Sequence, residues 1–282
     1  MSHSLSICAT LVMVVLVHAA HSSSTKRGLA DPITCQCEDL AATPNPYSAY
    51  SFTYNWGPTP PNCSIGKELF VPMLWGRGTV TNHAEWQNVP QNTEYLLALN
   101  EPNHVGQSNL TPAEAAALWP QVELIATKKN ASMLSGPVVA PCTAGPSVCI
   151  SDTVPWLDQF LGNCTGCRFD FLVVHFYACH PAELTVFLDS LTKYNKTIWL
   201  NEFNCGGGSS GVPVPMQMQW MSESISILEA RPDIARYSWM SGQDLHNTVA
   251  SLYVANGNGS SSILPLGELY LSFKEKKLLE HS

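Results

Sequence analysis

The chain has 282 residues, of which 45% are hydrophobic and only 13% are charged, and its formal net charge is −8. This size and apolar content suit one large core, and a single α/β barrel of roughly 250 residues fits them. The acidic balance and the few lysines and arginines disfavour nucleic acids and anionic membrane surfaces as partners.

The chain opens on a segment typical of a secretory signal peptide, which we place at residues 1–24. Residues 5–17 are almost continuously apolar, and the small residues Ala19 and Ala20 follow. The apolar run is too short to span a bilayer, and no later stretch is long enough. We therefore expect a secreted, extracellular protein with one domain over residues 25–282, and no membrane association after cleavage.

Nine cysteines follow the signal segment, and an oxidising compartment favours their pairing in disulfides. The odd number leaves at least one thiol free or paired to another chain. Three pairs are the candidates for disulfides: Cys142–Cys149, Cys164–Cys167 and Cys179–Cys205.

A zinc site is the alternative for some of these cysteines. Two residues separate Cys164 from Cys167, and His175, Cys179 and His180 follow within a short distance along the chain. Secreted cysteines rarely stay reduced to bind a metal ion, so the disulfide interpretation is favoured and no metal is expected.

Glycosylation motifs of the form Asn-x-Ser/Thr recur along the chain. Each marks a candidate glycan and therefore a candidate surface position. The six asparagines are Asn62, Asn109, Asn130, Asn163, Asn195 and Asn258.

Short apolar runs alternate with helical patterns along the chain. Runs that are apolar on both faces are what the buried strands of a parallel sheet require. The eight candidate strands are residues 26–30, 49–56, 69–75, 95–100, 133–140, 169–177, 197–202 and 235–241.

Helices are predicted in several of the gaps between these strands. Thr111 is a predicted N-cap with Pro112 in the first turn and Glu114 three residues after the cap. Further helices are predicted to begin at Pro181 and to cover residues 216–228 and 266–279. Eight strands with intervening helices predict an α/β fold, a single (β/α)8 TIM-type barrel.

Two strand ends carry the same pattern. Residues 98–103 read ALNEPN and residues 199–204 read WLNEFN, so Glu101 and Glu202 end the fourth and seventh predicted strands. Catalytic groups of such barrels come from the carboxyl ends of strands. Two carboxylates there indicate glycoside hydrolysis, in which one group protonates the leaving oxygen and the other attacks or activates water.

The chain resembles glycoside hydrolase family 128, whose members are secreted glucanases with the clan A barrel. The matching segments, in chain order, are KRGLA, YNW, FVPMLWG, LALNEPN, LSGPVVAP, FLVVHFY, WLNEF and YSWM. They cover nearly the whole chain after the signal segment. The resemblance implies endo-cleavage of cell-wall or storage β-1,3-glucan with retention of configuration.

The resemblance also implies roles for individual residues. Glu101 corresponds to the acid/base, Asn100 to the asparagine that contacts the sugar 2-hydroxyl, and Glu202 to the nucleophile. A retaining site then requires carboxyl groups about 5–5.5 Å apart. No organic cofactor is needed, and we expect a monomer whose partner is a β-glucan substrate.

Further strand-end residues are candidates for substrate binding. Tyr177 is predicted to orient Glu202 through its hydroxyl group, and His175 to fix the proton network. Trp239 is predicted to be a sugar platform, since a flat aromatic face complements the C–H face of a pyranose. The remaining candidates are Trp56, Trp75 and Asn55, whereas Asn103 is equally compatible with a turn.

Two alternatives stay open from the sequence. One is a non-catalytic β-glucan-binding protein on the same barrel, although a binder does not need both carboxylates. The other is a clan A hydrolase for β-1,4-glucan or mannan, which has the same mechanism and a different cleft.

Overall fold

The structure, a computed structural model, describes residues 24–207, 211–243 and 248–274. Its main feature is one sheet of eight parallel strands. In chain order these are β1 (Arg27–Ala30), β2 (Phe52–Tyr54), β3 (Met73–Leu74), β4 (Tyr95–Asn100), β5 (Met133–Val139), β6 (Phe171–Phe176), β7 (Ile198–Phe203) and β8 (Ile234–Met240).

The sheet curls round until its two edge strands meet. Its strand order is β2-β1-β8-β7-β6-β5-β4-β3, so β2 and β3 are the edges. Thr53 of β2 forms a parallel bridge with Phe70, and the amide of Val71 donates to the Thr53 carbonyl at 2.8 Å. The predicted (β/α)8 barrel is confirmed, with all eight predicted strands in place.

Helices and short accessory strands surround the barrel. The helices are α1 (Gln36–Ala42), α2 (Pro46–Ala49), α3 (Arg77–Thr81), α4 (His83–Trp86), α5 (Pro112–Lys128), α6 (Thr153–Asn163), α7 (Pro181–Leu191), α8 (Val214–Ala230) and α9 (Pro265–Ser272). Three 3-10 turns lie at Lys67–Leu69, Thr192–Tyr194 and Thr248–Ala250, and a hairpin joins β9 (Tyr253–Ala255) to β10 (Ser261–Ile263).

The helices predicted from the sequence agree with the observed helices to different degrees. Thr111 and Glu114 form a reciprocal capping box at the start of α5, as predicted. The helix predicted over residues 266–279 instead ends at Ser272, because Phe273 has extended backbone angles. The sequence signals did not single out α6, which begins at the N-cap Asp152.

Two apolar layers hold the barrel together. Inside it, the buried side chains include Phe52, Met73, Val138, Val173 and Trp199. A second, larger cluster fills the space between the strands and the surrounding helices. This arrangement explains why the strands are apolar on both faces.

One end of the barrel interior is closed by a stack of side chains. The Arg236 guanidinium lies 4.9 Å from the ring centre of Tyr95, 5.0 Å from that of Trp199 and 5.5 Å from that of Phe52. It also donates to the Ser51 carbonyl at 3.0 Å. These residues start their strands, so the closed end is the amino-terminal one and the carboxyl ends of the strands are left for a site.

The cysteines pair as the secretory interpretation requires. The disulfides Cys142–Cys149, Cys164–Cys167 and Cys179–Cys205 are confirmed, and the structure adds a pair that was not predicted, Cys37–Cys63. Cys35 is the odd cysteine of the described residues and is buried. The three cysteines of the alternative zinc site, Cys164, Cys167 and Cys179, all form disulfides.

The six glycosylation motifs share one structural property, because the asparagine of each is exposed. The predicted signal peptide, except for Ser24, lies outside the described residues, as do residues 275–282 of the predicted domain. None of the helices in the described ranges has the length and apolar character needed to cross a bilayer.

Candidate active site

A cleft of about 580 Å³ lies at the carboxyl ends of the strands. It brings together Glu101 and Glu202, which are distant in sequence and are 7% and 5% exposed. The other predicted residues that line it are Asn100, Tyr177, Trp56 and Trp75.

A β-bulge turns Glu101 towards the cleft. Ala98 pairs with Pro137 and Asn100 with Val138, so Leu99 is an extra residue on β4. Leu99 and Glu101 have φ angles of 58° and 42°, which residues other than glycine and asparagine adopt rarely. The local backbone therefore departs from a regular strand at the predicted carboxylate.

A second bulge occurs on β7 just before Glu202. Val174 pairs with Leu200 and His175 with Glu202, which leaves Asn201 without a partner on β6. The extra residue reverses the face to which the following side chain points. Glu202 therefore faces the barrel mouth beside His175, with which it is paired. Both halves of the repeated sequence pattern thus end in an irregular strand.

Three hydrogen-bond donors surround the Glu202 carboxylate. The Tyr54 hydroxyl lies 3.0 Å from Oε1, the Trp56 indole N–H also donates to Oε1, and the Tyr177 hydroxyl donates to Oε2. All three groups donate, so the two Glu202 oxygens act as acceptors and the carboxyl group is held in one orientation. The predicted contact between Tyr177 and Glu202 is present.

His175 lies between the two carboxylates and is fully buried. Its Nδ1 atom is 2.7 Å from Glu101 Oε1 and 3.3 Å from Glu202 Oε2. One oxygen of each carboxylate and a ring nitrogen of His175 all lie within 4.8 Å of one another. The two acidic groups are therefore neighbours across a single imidazole.

Burial and charge oppose each other at this group of residues. Burial acts to raise the pKa of Glu101, but the hydrogen bond and charge of His175 outweigh it and lower that pKa. Burial acts to lower the pKa of His175, but Glu202 and Glu101 outweigh it and raise that pKa. Glu101 and His175 are best treated as one unit that holds a proton between them.

The last asparagine of each repeated pattern fixes a loop. Asn103 Nδ2 donates to the carbonyls of Ala140, at 2.6 Å, and of Ser151. Asn204 Nδ2 likewise donates to the Met240 carbonyl at 2.7 Å. In both cases the side chain ties the segment after one strand to the end of the neighbouring strand, so Asn103 has a structural function.

The prediction that Trp239 forms a sugar platform is wrong. Its side chain is fully buried, its ring packs 5.2 Å from that of Phe203, and its N–H donates to the Ala250 carbonyl at 2.8 Å. Successive strand residues point to opposite faces, so Trp239 points outward to the helices while Met240 lines the cleft.

Asn55 also needs correction, because it does not line the cleft. Its Nδ2 donates to the Thr59 carbonyl, and its Oδ1 accepts from the Gly57 amide, each at 3.1 Å. Both atoms of the amide are used within its own loop, so it organises the segment after β2 instead of binding substrate.

Sequence reasoning missed several residues of the site. Tyr54 donates to Glu202 although it does not line the cleft, and its two-residue spacing from Trp56 in the YNW segment was the available signal. His104, Asn204, Met240 and Gln243 line the cleft. His104, Asn204 and Gln243 come from segments after strands, where no periodic pattern specifies a direction, whereas Met240 ends β8 and alternates with Trp239.

Comparisons with known proteins agree with this geometry. A family model described as the glycosyl hydrolase catalytic core matches residues 28–270. A solved structure of a family 128, subgroup II endo-β-1,3-glucanase from Sorangium cellulosum is 32% identical, with a TM-score of 0.72, covering 88% of this chain and 98% of that chain. The chain belongs to glycoside hydrolase family 128.

Two more distant relatives are also similar to this family 128 hydrolase over most of its length. A subgroup III, curdlan-specific exo-β-1,3-glucanase from Blastomyces gilchristii, solved with glucose, is 27% identical with a TM-score of 0.69, covering 89% of this chain and all of that chain. The alkali-sensitive linkage protein 1 of Schizosaccharomyces pombe is 25% identical over 261 residues, which are 89% of this chain. The chain spans only 45% of the length of that curated relative.

Proposed function

We propose that this family 128 hydrolase cleaves β-1,3-glucan internally and with retention of configuration, using Glu202 as nucleophile and Glu101 as acid/base. The observation that carries the proposal is the pair of buried carboxylates joined by His175, with oxygens within 4.8 Å. Oxygens this close are compatible with the spacing of about 5–5.5 Å between the carboxyl groups of a retaining site, and they favour it over the wider spacing of an inverting one. The glucanase names of the Sorangium and Blastomyces relatives support the substrate.

In the first step, Glu202 attacks the anomeric carbon and forms a covalent glycosyl-enzyme. Tyr54, Trp56 and Tyr177 direct their donors at its two oxygens and hold the carboxylate in one orientation. A carboxylate that is already oriented loses less entropy when it attacks, so the activation barrier is lower.

Glu101 supplies a proton to the leaving sugar in that same step. The proton belongs to the Glu101–His175 unit, and Nδ1 of His175 is 2.7 Å from the Glu101 oxygen that it contacts. When Glu202 becomes an ester, His175 loses the largest charge that raises its pKa. The imidazole then stays neutral, and Glu101 is free to act as base towards the incoming water.

Other cleft residues have roles in binding the sugar. Asn100 lines the cleft, and its Oδ1 is buried without a hydrogen-bond partner among the described residues, so it is available to a sugar 2-hydroxyl. Trp75 and Trp56 supply aromatic surface at the same opening. The apolar rings complement the C–H faces of glucose units.

We place the protein outside the cell, where cell-wall or storage glucan is found. Four disulfides are formed within the described residues, and such bonds persist in oxidising compartments. The six exposed glycosylation motifs support the same location.

Digestion of purified glucans tests the proposed activity. The protein should release reducing ends from linear β-1,3-glucan, with oligosaccharides preceding glucose, and little from β-1,4-glucan or β-mannan. Glucose as the sole early product would contradict endo cleavage, and faster release from β-1,4-glucan or mannan would contradict the substrate. Binding of β-1,3-glucan without any reducing ends would instead identify a non-catalytic binder.

Tyr54→Phe should lower kcat on β-1,3-glucan by about 10- to 100-fold, the scale of one lost hydrogen bond to a charged group. KM should change little, because Tyr54 is fully buried behind the cleft. Steady-state kinetics measure both constants. The matched control is Tyr50→Phe, which removes a buried hydroxyl bonded to Tyr253 and should leave kcat unchanged. Equal losses of kcat in both variants would contradict the role of Tyr54.

Trp75→Ala and Trp239→Phe should separate a binding tryptophan from a structural one. Trp75→Ala removes aromatic surface of the cleft and should raise KM about 3- to 10-fold. Trp239→Phe removes the hydrogen bond to the Ala250 carbonyl and leaves a smaller side chain in the apolar layer. The variant should therefore have a Tm lower by about 2–10 °C and an unchanged KM. A raised KM for Trp239→Phe at unchanged Tm would restore Trp239 to the substrate site.

A further inference from the structure

The segments that follow β6 and β7 are joined by a disulfide. Cys179 lies two residues beyond Tyr177, and Cys205 lies three residues beyond Glu202. Their disulfide therefore links the segment after the proposed nucleophile to the segment after the tyrosine that donates to it. Cys205 itself is fully buried, directly after Asn204, which lines the cleft. The disulfide is thus part of the wall of the cleft.

Gln217 of α8 binds both backbone groups of Cys205. Its Oε1 accepts from the Cys205 amide at 3.0 Å, and its Nε2 donates to the Cys205 carbonyl at 2.8 Å. A neighbouring strand would supply the same pair of bonds, but β7 has already ended at Phe203. The side-chain amide cannot turn over without losing both bonds, because a donor would then face a donor.

Burial alone does not explain a glutamine at this position of α8. The buried stripe of the helix includes Trp220 and Met221, and Gln217 begins that stripe with a fully buried amide. An apolar residue would suit such a stripe, whereas a buried amide needs a partner for each of its two polar atoms. Gln217 finds both partners in Cys205, so holding this residue accounts for the amide.

The segment after β7 also packs against Tyr177. Gly207 has a φ angle of +62° and lies against the Tyr177 ring, where an added Cβ would be 3.7 Å from Cγ. The Tyr177 hydroxyl in turn donates to Glu202 Oε2. A displacement of the backbone at Cys205 would therefore reach Tyr177 through Gly207 and, by way of the disulfide, through Cys179.

We propose that Gln217 is a positioning residue for the nucleophile and acts with the Cys179–Cys205 disulfide as a clamp. The clamp, which consists of Gln217, Cys179 and Cys205, holds the segments after β6 and β7 at the spacing in which the Tyr177 hydroxyl reaches Glu202. Gln217 does not line the cleft, and no bond of the clamp forms or breaks during turnover. The proposal rests on the proposed function and deepens it, because it concerns the orientation of the carboxylate that we take as nucleophile.

Gln217→Met tests the proposal, because methionine is close to glutamine in size and cannot make either bond to Cys205. The variant should lower kcat on β-1,3-glucan by about 10- to 100-fold, the loss expected when reacting groups are no longer held in place, and should change KM little. In a Tyr177→Phe background the same substitution should cost less than about twofold more, since the contact that the clamp positions is already absent. Losses that multiply in the double variant, or an unchanged kcat in Gln217→Met, would overturn the proposal.

Gln36→Met is the matched control, since it is the same substitution at another fully buried glutamine. Gln36 lies on α1, and neither polar atom of its side chain has a hydrogen bond within the described residues. Its substitution should leave kcat unchanged. A loss of kcat equal to that of Gln217→Met would show that any buried change in a barrel helix has this effect, and would overturn the proposal.

The disulfide half of the clamp is tested by a variant that carries both Cys179→Ala and Cys205→Ala. Its kcat on β-1,3-glucan should fall by about the same 10- to 100-fold, again with little change in KM. A wild-type kcat in this variant would contradict the clamp. Should Gln217→Met not fold, the disulfide variant, measured with and without Tyr177→Phe, gives the same test of whether the losses multiply.

¹⁹F NMR of protein labelled with 3-fluorotyrosine gives a readout that needs no turnover. The Tyr177 signal, assigned by its loss in Tyr177→Phe, should move in Gln217→Met and stay in place in Gln36→Met. If the signal behaves in this way and the wild type releases no sugar from β-1,3-glucan, the proposed function fails while the clamp stands. If glucan is hydrolysed but the signal stays in place in both variants, the clamp fails alone.

Discussion

Glu202→Ala should lower kcat on β-1,3-glucan by about four to six orders of magnitude, because the covalent step has no nucleophile. Azide should restore part of the turnover on an aryl β-glucoside with a good leaving group. The small anion fits the space left by the carboxylate and attacks from the same face. The expected product is therefore the α-glucosyl azide, which NMR identifies.

The control for this result is Glu223→Ala, the same substitution at an exposed position of α8. It should leave kcat and KM unchanged. A fully active Glu202→Ala variant would remove Glu202 from the site, and a β-glucosyl azide would assign it the opposite role.

Glu101→Ala should lower kcat/KM on β-1,3-glucan by about 10²- to 10⁴-fold, the usual contribution of general acid catalysis. A dinitrophenyl β-glucoside needs no protonation of its leaving group, so its kcat/KM should fall less than about tenfold. The second step then lacks a base, and a rapid burst of dinitrophenolate should precede slow turnover.

Azide should speed that slow phase and give the β-glucosyl azide, because it attacks the glycosyl-enzyme from the face that water uses. Opposite anomers of the azide product from the two variants would assign the two roles independently. An equal loss of kcat/KM on glucan and on the dinitrophenyl glucoside would contradict the acid role of Glu101.

The barrel and its two carboxylates could be predicted because their signals are local and repeated. Parallel strands covered on both faces are apolar throughout, as in β4 and β6, where buried residues follow one another. The matching segments ALNEPN and WLNEFN end β4 and β7 of one barrel, so Glu101 and Glu202 were found as a pair. Their closeness across His175 then follows from the sheet order.

The directions of single side chains were harder to predict. A period of two assumes a regular strand, but β4 and β7 each contain a bulge next to the glutamate. Trp239 was placed one residue away from the position that lines the cleft, which is Met240. Tyr54 was missed since its hydroxyl reaches Glu202 through the barrel interior, a contact that depends on the distance between β2 and β7.

The asparagines of the repeated pattern have different functions, which the pattern alone does not distinguish. Asn103 and Asn204 both tie a loop to the next strand end, which the equal spacing favours. Asn100 and Asn201 occupy equal places in the pattern, yet one lines the cleft and the other is buried. Asn201 is the extra residue of the β7 bulge, whereas on β4 the extra residue is Leu99, and the sequence pattern does not indicate this difference.

The anomeric form of the first product tests the central proposal most directly. ¹H NMR of a fresh digest of β-1,3-glucan, recorded before mutarotation, distinguishes the two anomers of the new reducing end. Double displacement by Glu202 and water, with Glu101 as acid and then base, predicts that the β-anomer appears first. An α-anomer that appears first would contradict it.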